Sequence, residues 1–318
     1  MLYLNEEHFR TIGNEWSRSI SIISNALKCY GNKDYSQPVK PYLRYKNMTN
    51  RIIAMPAYLG GKFDIAGIKW ISSFPENINK NKSRANSVVI LNDANTGEPI
   101  SILNGTFVSI IRTVSLSGLI IEEYLKKRKK EKVVVGIIGF GPIGQYHSML
   151  LQQHFQEYIN NILVYDKRPI AKEKLNEKIQ IVNKWEDAYL NSDIVITCTV
   201  SEKRYIDKAP KPGSLLLNIS LRDFKAQSIN INNDLIVVDD WDEVARENTD
   251  IEYFSSKCGL SKEKSLSLYD LLFREGFTNS QEESSIMVNP MGLAVFDVAI
   301  ANYYYNQALD MNVGIKLS

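Results

Sequence analysis

Residues 132–166 read KVVVGIIGFGPIGQYHSMLLQQHFQEYINNILVYD, and this stretch decides the fold. Val133, Val134, Val135, Ile137 and Ile138 form a β-branched run that leads at once into GFGPIG at 139–144. A helical pattern follows, then a second apolar run, ILVY at 162–165, ending in Asp166. Strand, glycine turn, helix, strand and acid in that order are the pattern of a dinucleotide-binding unit. Gly139 is expected to make the tight turn and Gly141 to let the backbone approach a pyrophosphate. Gly144 is expected to let the helix pack on the strand. The phosphates of such a ligand sit at the helix N-terminus, where N–H groups and the dipole favour anions. Asp166 follows Gly144 by 22 residues, where such folds hold ribose hydroxyls. A GxGxxG alone is also met in glycine-rich turns that bind no nucleotide; here the flanking strand, helix and acid select the reading.

Beyond Asp166 the alternation continues. IQIV (179–182) precedes a helix around 185–190, and DIVITCT (193–199), SLLLNIS (214–220) and LIVVDD (235–240) read as further strands. Continuous apolar character is what parallel strands buried on both faces require. Residues 241–286 look helical and polar, and a long helix is expected over about 293–311.

The N-terminal part has a different rhythm. MLYL is strand-like, and one amphipathic helix is expected from about Glu6, carrying Phe9, Ile12, Trp16, Ile20, Ile23 and Leu27 and closed by Gly31 and Asn32. Extended segments follow at 36–60 and 65–71. SVVIL (87–91) and PISIL (99–103) then flank a hairpin turn. Strands in succession without helices between them predict a separate antiparallel sheet. A helix over about 105–130 ends in KKRKK, most simply a solvated helix end near its C-terminal dipole. The expected fold class is thus α/β: a Rossmann dinucleotide-binding domain at 116–288, plus an α+β substrate-binding and dimerisation domain. The second is built from 1–115 and 289–318, so that the C-terminal helix returns to it.

Composition excludes little more. The 318 residues, 44% hydrophobic and 23% charged with net charge +2, suit a soluble two-domain protein and give no argument for nucleic acid. No run of 18 apolar residues predicts a membrane span, and MLYLNEEHFR lacks the layout of a secretory signal. Cys29, Cys198 and Cys258 are odd in number and far apart, which predicts reduced thiols, a cytoplasmic location and no zinc site. The three histidines are too scattered for a metal cluster. His147 and His154 read as helix-surface or packing residues.

In open α/β sheets ligands bind outside the carboxyl ends of the strands. Those ends carry Thr199, Val200 and Ser201; Ser220, Arg222 and Asp223; and Asp239 and Asp240. No Ser–His–Asp or Cys–His arrangement is expected, because the histidines lie far from these ends. Asp223 is therefore the first candidate for an acid/base group, with a helix N-cap as its alternative. Arg44, Lys69 and Arg112 are the cations suited to substrate carboxylates, arginine bidentately and lysine as a point charge. Lys69 interrupts an apolar strand. Its ammonium faces either a cleft or anion, or water from an edge strand.

At this point the chain resembles the ornithine cyclodeaminase/μ-crystallin family over nearly its whole length. The resemblance is carried by RIIAMP (51–56), GIKWI (67–71), ILNDANTGEPI (90–100), IRT (111–113), GFGPIG (139–144) and NPMGLAVFD (289–297). QPVKPYLRY (37–45), GIKWISS (67–73), ITCTVSEKRYI (196–206), VVDDW (237–241) and NPMG resemble the branch that forms 2,3-diaminopropionate for siderophores and peptide antibiotics. Most of the family has a Gln where Ile143 stands; Gly144 completing GxGxxG is as in that branch.

The resemblance implies that Arg44, Lys69 and Arg112 hold carboxylates and that Asp223 and Lys69 serve catalysis. Arg222 adds a cation beside Asp223, because Ser-Leu-Arg-Asp-Phe replaces the family's glycine-rich surround. Asp297 matches a family position and reads as a structural or interdomain partner. The implied cofactor is NAD, on Gly139, Gly141, Pro142, Ile143, Gly144, Asp166 and Lys167, with Thr199, Val200, Ser220, Met291 and Gly292 alongside. Asp166 favours NAD over NADP by repelling a 2′-phosphate, while Lys167 and Arg168 soften that preference.

The implied reaction is NAD-dependent oxidative cleavage of N-(2-amino-2-carboxyethyl)-L-glutamate to 2,3-diaminopropionate and 2-oxoglutarate, by a homodimer with no nucleic-acid or membrane partner. Ornithine cyclodeamination, imine reduction, or μ-crystallin-like binding without catalysis are the alternatives. The set Arg44, Lys69, Arg112 and Asp223 argues against the last, since a pure binder has no use for the acid.

Overall fold

The computed structural model describes residues 1–171, 178–274, 276–277 and 281–317. Along the chain come β1 (Leu2–Leu4), α1 (Glu6–Ile12), α2 (Trp16–Gly31), β2 (Tyr35–Ser36), β3 (Tyr42–Leu43), β4 (Arg51–Leu59), β5 (Ile65–Ser73), β6 (Ala85–Asp93), β7 (Pro99–Asn104) and α3 (Gly105–Lys127). Next are β8 (Val133–Ile138), α4 (Pro142–Gln153), β9 (Ile159–Tyr165), β10 (Ile179–Ile181), α5 (Trp185–Leu190), β11 (Ile194–Thr197), β12 (Leu215–Asn218) and β13 (Leu235–Val238). The last are α6 (Trp241–Val244), α7 (Asp250–Cys258), β14 (Leu266–Ser267), α8 (Leu268–Phe273), β15 (Ile286–Asn289), α9 (Ala294–Asp310) and β16 (Ile315–Lys316).

Two compact units result: Met1–Leu116 with Leu293–Ser318, and Ser117–Gly292. In the first, the strands follow the order β16-β1-β7-β6-β5-β4-β2, with β3 also on β4. All neighbours are antiparallel except β1 and β7. Along β4 and β5 the odd-numbered residues face the core, as the period of two demands: Met55, Ala57, Leu59, Ile65 and Lys69 are buried. Helix α9 packs across this face, and Phe9, Phe107 and Tyr304 close the unit with ring centroids 4.6 to 5.6 Å apart.

The first expected helix is two. Gly13 takes φ 76° and its N–H caps α1 on the Phe9 carbonyl at 2.9 Å, so the chain turns before Trp16 starts α2. The apolar period runs through the break because both helices bury the same kind of face.

The second unit is a parallel sheet of order β10-β9-β8-β11-β12-β15-β13-β14. The direction of winding reverses between β8 and β11, which is where such sheets open a ligand crevice. Three expectations need correction. β15 lies between β12 and β13, with Met287 opposite both Leu216 and Ile236, so residues 289–292 belong to this unit and the boundary falls after Gly292 rather than before Asn289. β10 is not buried on both faces: it is an edge strand with Gln180 and Ile181 exposed. The stretch read as helical at 241–286 holds only short helices and β14; its residues 275 and 278–280 lie outside the described ones.

Helix α3 is long and apolar enough to cross a membrane by length and composition. Most of its apolar stretch is buried inside the protein, as in a core helix.

Candidate active site

The glycine turn has the geometry its sequence implies. Gly139 has φ 97°, and a Cβ there would sit 2.6 Å from the Cys198 carbonyl oxygen, so only glycine makes this turn beside β11. A Cβ on Gly144 would sit 2.2 Å from the Gly139 carbonyl oxygen. At Gly141 a Cβ would meet nothing within 4 Å: the space above it is open. Helix α4 starts there with Pro142 in its first turn and no side chain capping it, leaving its N–H groups to a ligand. This open cradle at an uncapped helix start fits the pyrophosphate of a dinucleotide.

Asp166 is fixed by the same turn. Its Oδ2 accepts the Phe140 N–H at 2.7 Å and its Oδ1 the Arg168 N–H at 2.9 Å. A carboxylate has lone pairs for more, so ribose hydroxyls remain within its capacity. Lys167 and Val200 are exposed. The Met291 and Gly292 N–H groups donate to Asp239, at 3.1 and 2.7 Å, so those donors are consumed within the protein.

Asp223 is buried, and its carboxylate sits in a ring of hydroxyls. Thr199 Oγ1 donates to Oδ1 and Ser220 Oγ to Oδ2, with Thr197 and Tyr205 bordering the same group. Burial pushes the carboxyl above the usual carboxylate range, while the hydroxyls pull the other way. It is not a helix N-cap: the helix that follows at 226–228 is a short 3₁₀ turn with Lys225 before it.

A buried network holds the loop. Asp250 Oδ2 accepts the Asp223 and Phe224 N–H groups at 3.0 and 3.2 Å and the Asn218 amide at 3.0 Å, and Arg204 Nε donates to its Oδ1 at 2.7 Å. Asn218 also bonds Asn289, Thr197 and the Leu221 N–H. Leu221, at φ 63°, holds the left-handed conformation that a glycine would take without strain. Arg222 donates to the Glu247 carbonyl at 2.9 Å.

The cations singled out in the sequence, Arg44, Lys69 and Arg112, lie in the first unit. Lys69 Nζ lies 2.7 Å from Asp297 Oδ2, and Arg112 Nε lies 3.3 Å from Oδ1 of the same carboxylate. Ser109 bonds both Lys69 and Asp297. Burial lowers the Lys69 pKa to about 8, with Arg112 and Lys40 adding to the effect and Asp297 opposing it. For Asp297 burial works against the charge, yet Lys69 and Arg112 outweigh it and hold the carboxyl below its ordinary value. Among the described residues Asp297 is the one ion-pair partner of Arg112, so most of its guanidinium fork is available to a carboxylate.

Arg44 stands outside this contact set. Its Nη1 donates to the Met48 carbonyl and its Cζ lies 5.5 Å from the Tyr42 ring centroid. Of the two sequence readings of Lys69, the one that holds is the buried lysine facing an anion, and that anion is Asp297. The ion-pair partners of Asp297, Lys69 and Arg112, lie within its own unit.

The sequence reading missed Lys40, buried beside Lys69 and Asp297 in QPVKPYLRY, where its position between prolines was the available signal. It missed Tyr205 and Asp250 because nothing local ties them to Asp223; the contact is made by the Tyr205 and Ile206 N–H groups on the Asp223 carbonyl, both at 2.9 Å.

It also placed every histidine far from the strand ends, whereas His147 Nδ1 is 3.9 Å from Cys198 Sγ. The pair is not a nucleophilic dyad. The Nδ1 proton is directed to the Ile143 carbonyl and Nε2 faces Ser117, each at 2.8 Å. Burial lowers the imidazole pKa to about 4 and pushes the thiol far up, so both stay neutral. Among the described residues there is no group of three metal ligands.

This fold and these residues place the chain among known proteins. Residues 11–312 match the profile of the ornithine cyclodeaminase/mu-crystallin family. The chain belongs to that family. It is 32% identical to the N-((2S)-2-amino-2-carboxyethyl)-L-glutamate dehydrogenase of Staphylococcus aureus strain NCTC 8325 / PS 47, across 100% of this chain and 98% of that one. Among solved structures it is similar to an archaeal alanine dehydrogenase dimer with bound NAD, at TM-score 0.86 and 25% identity, covering 100% and 99% of the two chains. It shares its fold with the Δ1-pyrroline-2-carboxylate reductase of Thermococcus litoralis in complex with NADH and L-proline, at TM-score 0.87 and 22% identity, covering 100% of both.

Proposed function

We propose that this chain is an NAD-dependent dehydrogenase that oxidises N-(2-amino-2-carboxyethyl)-L-glutamate and hydrolyses the product to 2-oxoglutarate and L-2,3-diaminopropionate. The full-length similarity to the S. aureus dehydrogenase carries this reading, and the geometry supplies a mechanism for it. The cofactor rests on Gly139, Gly141 and Gly144 with its adenosine ribose at Asp166; when bound, NAD supplies the hydride acceptor.

Arg112, Lys69 and Arg44 hold the carboxylates of the substrate. Lys69, titrating at about pH 8, takes the proton from the substrate's secondary ammonium, which restores the nitrogen lone pair. That lone pair becomes the C=N bond as the hydride leaves the glutamate Cα. Asp223 then takes a proton from water as its oxygen adds to the imine carbon. That proton is returned to nitrogen as the C–N bond breaks, and Asp223, again a carboxylate, takes the carbinolamine hydroxyl proton as the ketone C=O forms. The raised pKa of Asp223 suits both directions of that transfer. The three carboxylates and two amines of the substrate match a set of fixed cations with a separate acid. The protein works as a homodimer in this reading, as the archaeal alanine dehydrogenase is described. Its product serves siderophore or peptide antibiotic synthesis.

The test is to mix purified protein, NAD⁺ and N-(2-amino-2-carboxyethyl)-L-glutamate and to follow NADH and 2-oxoglutarate, with L-ornithine in parallel. Equal amounts of NADH and 2-oxoglutarate are expected. Proline and ammonia from ornithine without net NADH would assign cyclodeamination instead.

A further inference from the structure

Asp250 is the first residue of α7 and has no exposed surface. Its carboxylate meets four donors. Oδ2 accepts from the Asp223 N–H, the Phe224 N–H and the Asn218 amide, and Oδ1 accepts from Arg204 Nε. A carboxylate offers about four lone-pair sites, so all are filled, and an amide in its place would leave donors orphaned. The start of α7 also favours an anion at this position. Arg204 is held in turn. Its Nη2 donates to the Asn248 and Thr249 carbonyls, both at 2.8 Å, and its Cζ lies 4.4 Å from the Tyr253 ring centroid. The buried anion is thus paired with a cation that is itself fixed from outside the loop carrying Asp223.

That loop is bent in a way it does not sustain alone. Leu221 holds φ 63°, a conformation disfavoured for a residue with a Cβ. Its N–H donates to Asn218 Oδ1 at 3.0 Å, and its carbonyl accepts the Asp250 N–H at 2.7 Å. Asp223 is then gripped on both sides of its main chain, the N–H by Asp250 and the carbonyl by the N–H groups of Tyr205 and Ile206. With both fixed, its Cα–Cβ bond has one direction, and the Thr199 and Ser220 hydroxyls meet the carboxylate there. Proton transfer depends on such placement, because an acid/base group must lie within hydrogen-bond reach of the proton it moves. We propose that Asp250 is a positioning residue for imine hydrolysis: by clasping the Asp223 and Phe224 N–H groups it aims the Asp223 carboxylate, and it takes no part in hydride transfer. The assignment rests on the reading above, in which Asp223 activates water.

The test compares the two chemical steps. Asp250→Asn keeps the shape and gives up acceptor capacity. On mixing it with NAD⁺ and N-(2-amino-2-carboxyethyl)-L-glutamate, NADH in the first turnover is expected at a rate within about twofold of the parent's. Release of 2-oxoglutarate should slow by about tenfold to a hundredfold. The double variant Asp223→Asn/Asp250→Asn should be no slower than Asp223→Asn alone, since a residue acting through Asp223 then has nothing left to position. Equal loss in both steps, a further loss in the double variant, or unchanged release overturns the proposal. Asp250→Glu keeps the charge for Arg204 and displaces the acceptor by one methylene. It covers the case in which Asp250→Asn does not fold, and release at the parent's rate there also overturns the proposal. If the parent forms neither product, the reading of the reaction fails and amide hydrogen exchange decides the clasp. Faster exchange at Asp223 and Phe224 in Asp250→Asn, with residues 139–144 unchanged, sustains it; equal exchange at the two amides rejects it.

Discussion

Lys69 and Asp297, 228 residues apart in the chain, form an ion pair of 2.7 Å with side chains that are 2% and 0% exposed. One strand and one helix are tied by it, and Arg112 closes on the same carboxylate. A charge this deep is tolerated because each partner removes the other's cost of leaving water.

Breaking the pair from the acid side should be severe. Asp297→Ala leaves two buried cations without their carboxylate and is expected to destabilise the protein by about 3–5 kcal/mol. A urea titration of parent and variant reads this as a lowered midpoint. A midpoint shift equivalent to less than about 1 kcal/mol would mean that solvent reaches the pair.

The stability should depend on pH through Lys69. Its folded pKa of about 8 lies below its ordinary 10.5, so between those values the unfolded chain holds the extra proton. Stability therefore rises with pH across that window, by on the order of 3 kcal/mol, and the burial penalty is fully present below pH 8. In Lys69→Met this rise should be absent when the two unfolding curves are compared at each pH.

Catalysis should show the same group. The rate of oxidation, as kcat/KM, is expected to climb through about pH 8 as Lys69 loses its proton. Lys69→Arg keeps a cation that does not titrate there, so its profile should be flat in that range and its activity low. A rate that falls through pH 8 in the parent would instead make Lys69 a carboxylate holder alone.

Asp223→Asn preserves shape and removes the proton acceptor. We expect kcat to fall by about 10²–10⁴, while NAD affinity, read by quenching of protein fluorescence, stays within about twofold. Full turnover in this variant would remove the acid/base role.

The glycine turn separates folding from binding. Gly144→Ala drives a methyl to 2.2 Å from the Gly139 carbonyl oxygen and should lower the melting temperature sharply. Gly141→Ala meets no protein atom within 4 Å, so its melting temperature should stay near the parent's. The methyl would fill the cradle, and the Kd for NAD is expected to rise by about tenfold or more.

Much of this was legible in the residues themselves. The βαβ unit, its three glycines and Asp166 could be read because each conformational demand falls on a residue near its neighbour in sequence: positive φ at Gly139, close packing at Gly144, an open approach at Gly141. The antiparallel hairpins of β4 to β7 could be read for the same reason, their registers being set by short turns. The choice of Lys69, Arg112 and Asp223 followed from residue type and the family resemblance.

Long-range pairing decided the rest. No local pattern says that β15 enters the parallel sheet between β12 and β13, because an apolar strand pairs as well with one neighbour as with another until the whole sheet is assembled. Nor does one show that Asp297 is the anion Lys69 faces, that Lys40 is buried beside them, or that Asp250 and Tyr205 frame Asp223. Those contacts join residues tens to hundreds of positions apart. Their charges shift only once burial removes water, so the sequence determined which chemical groups are present and the tertiary structure determined the protonation each one holds.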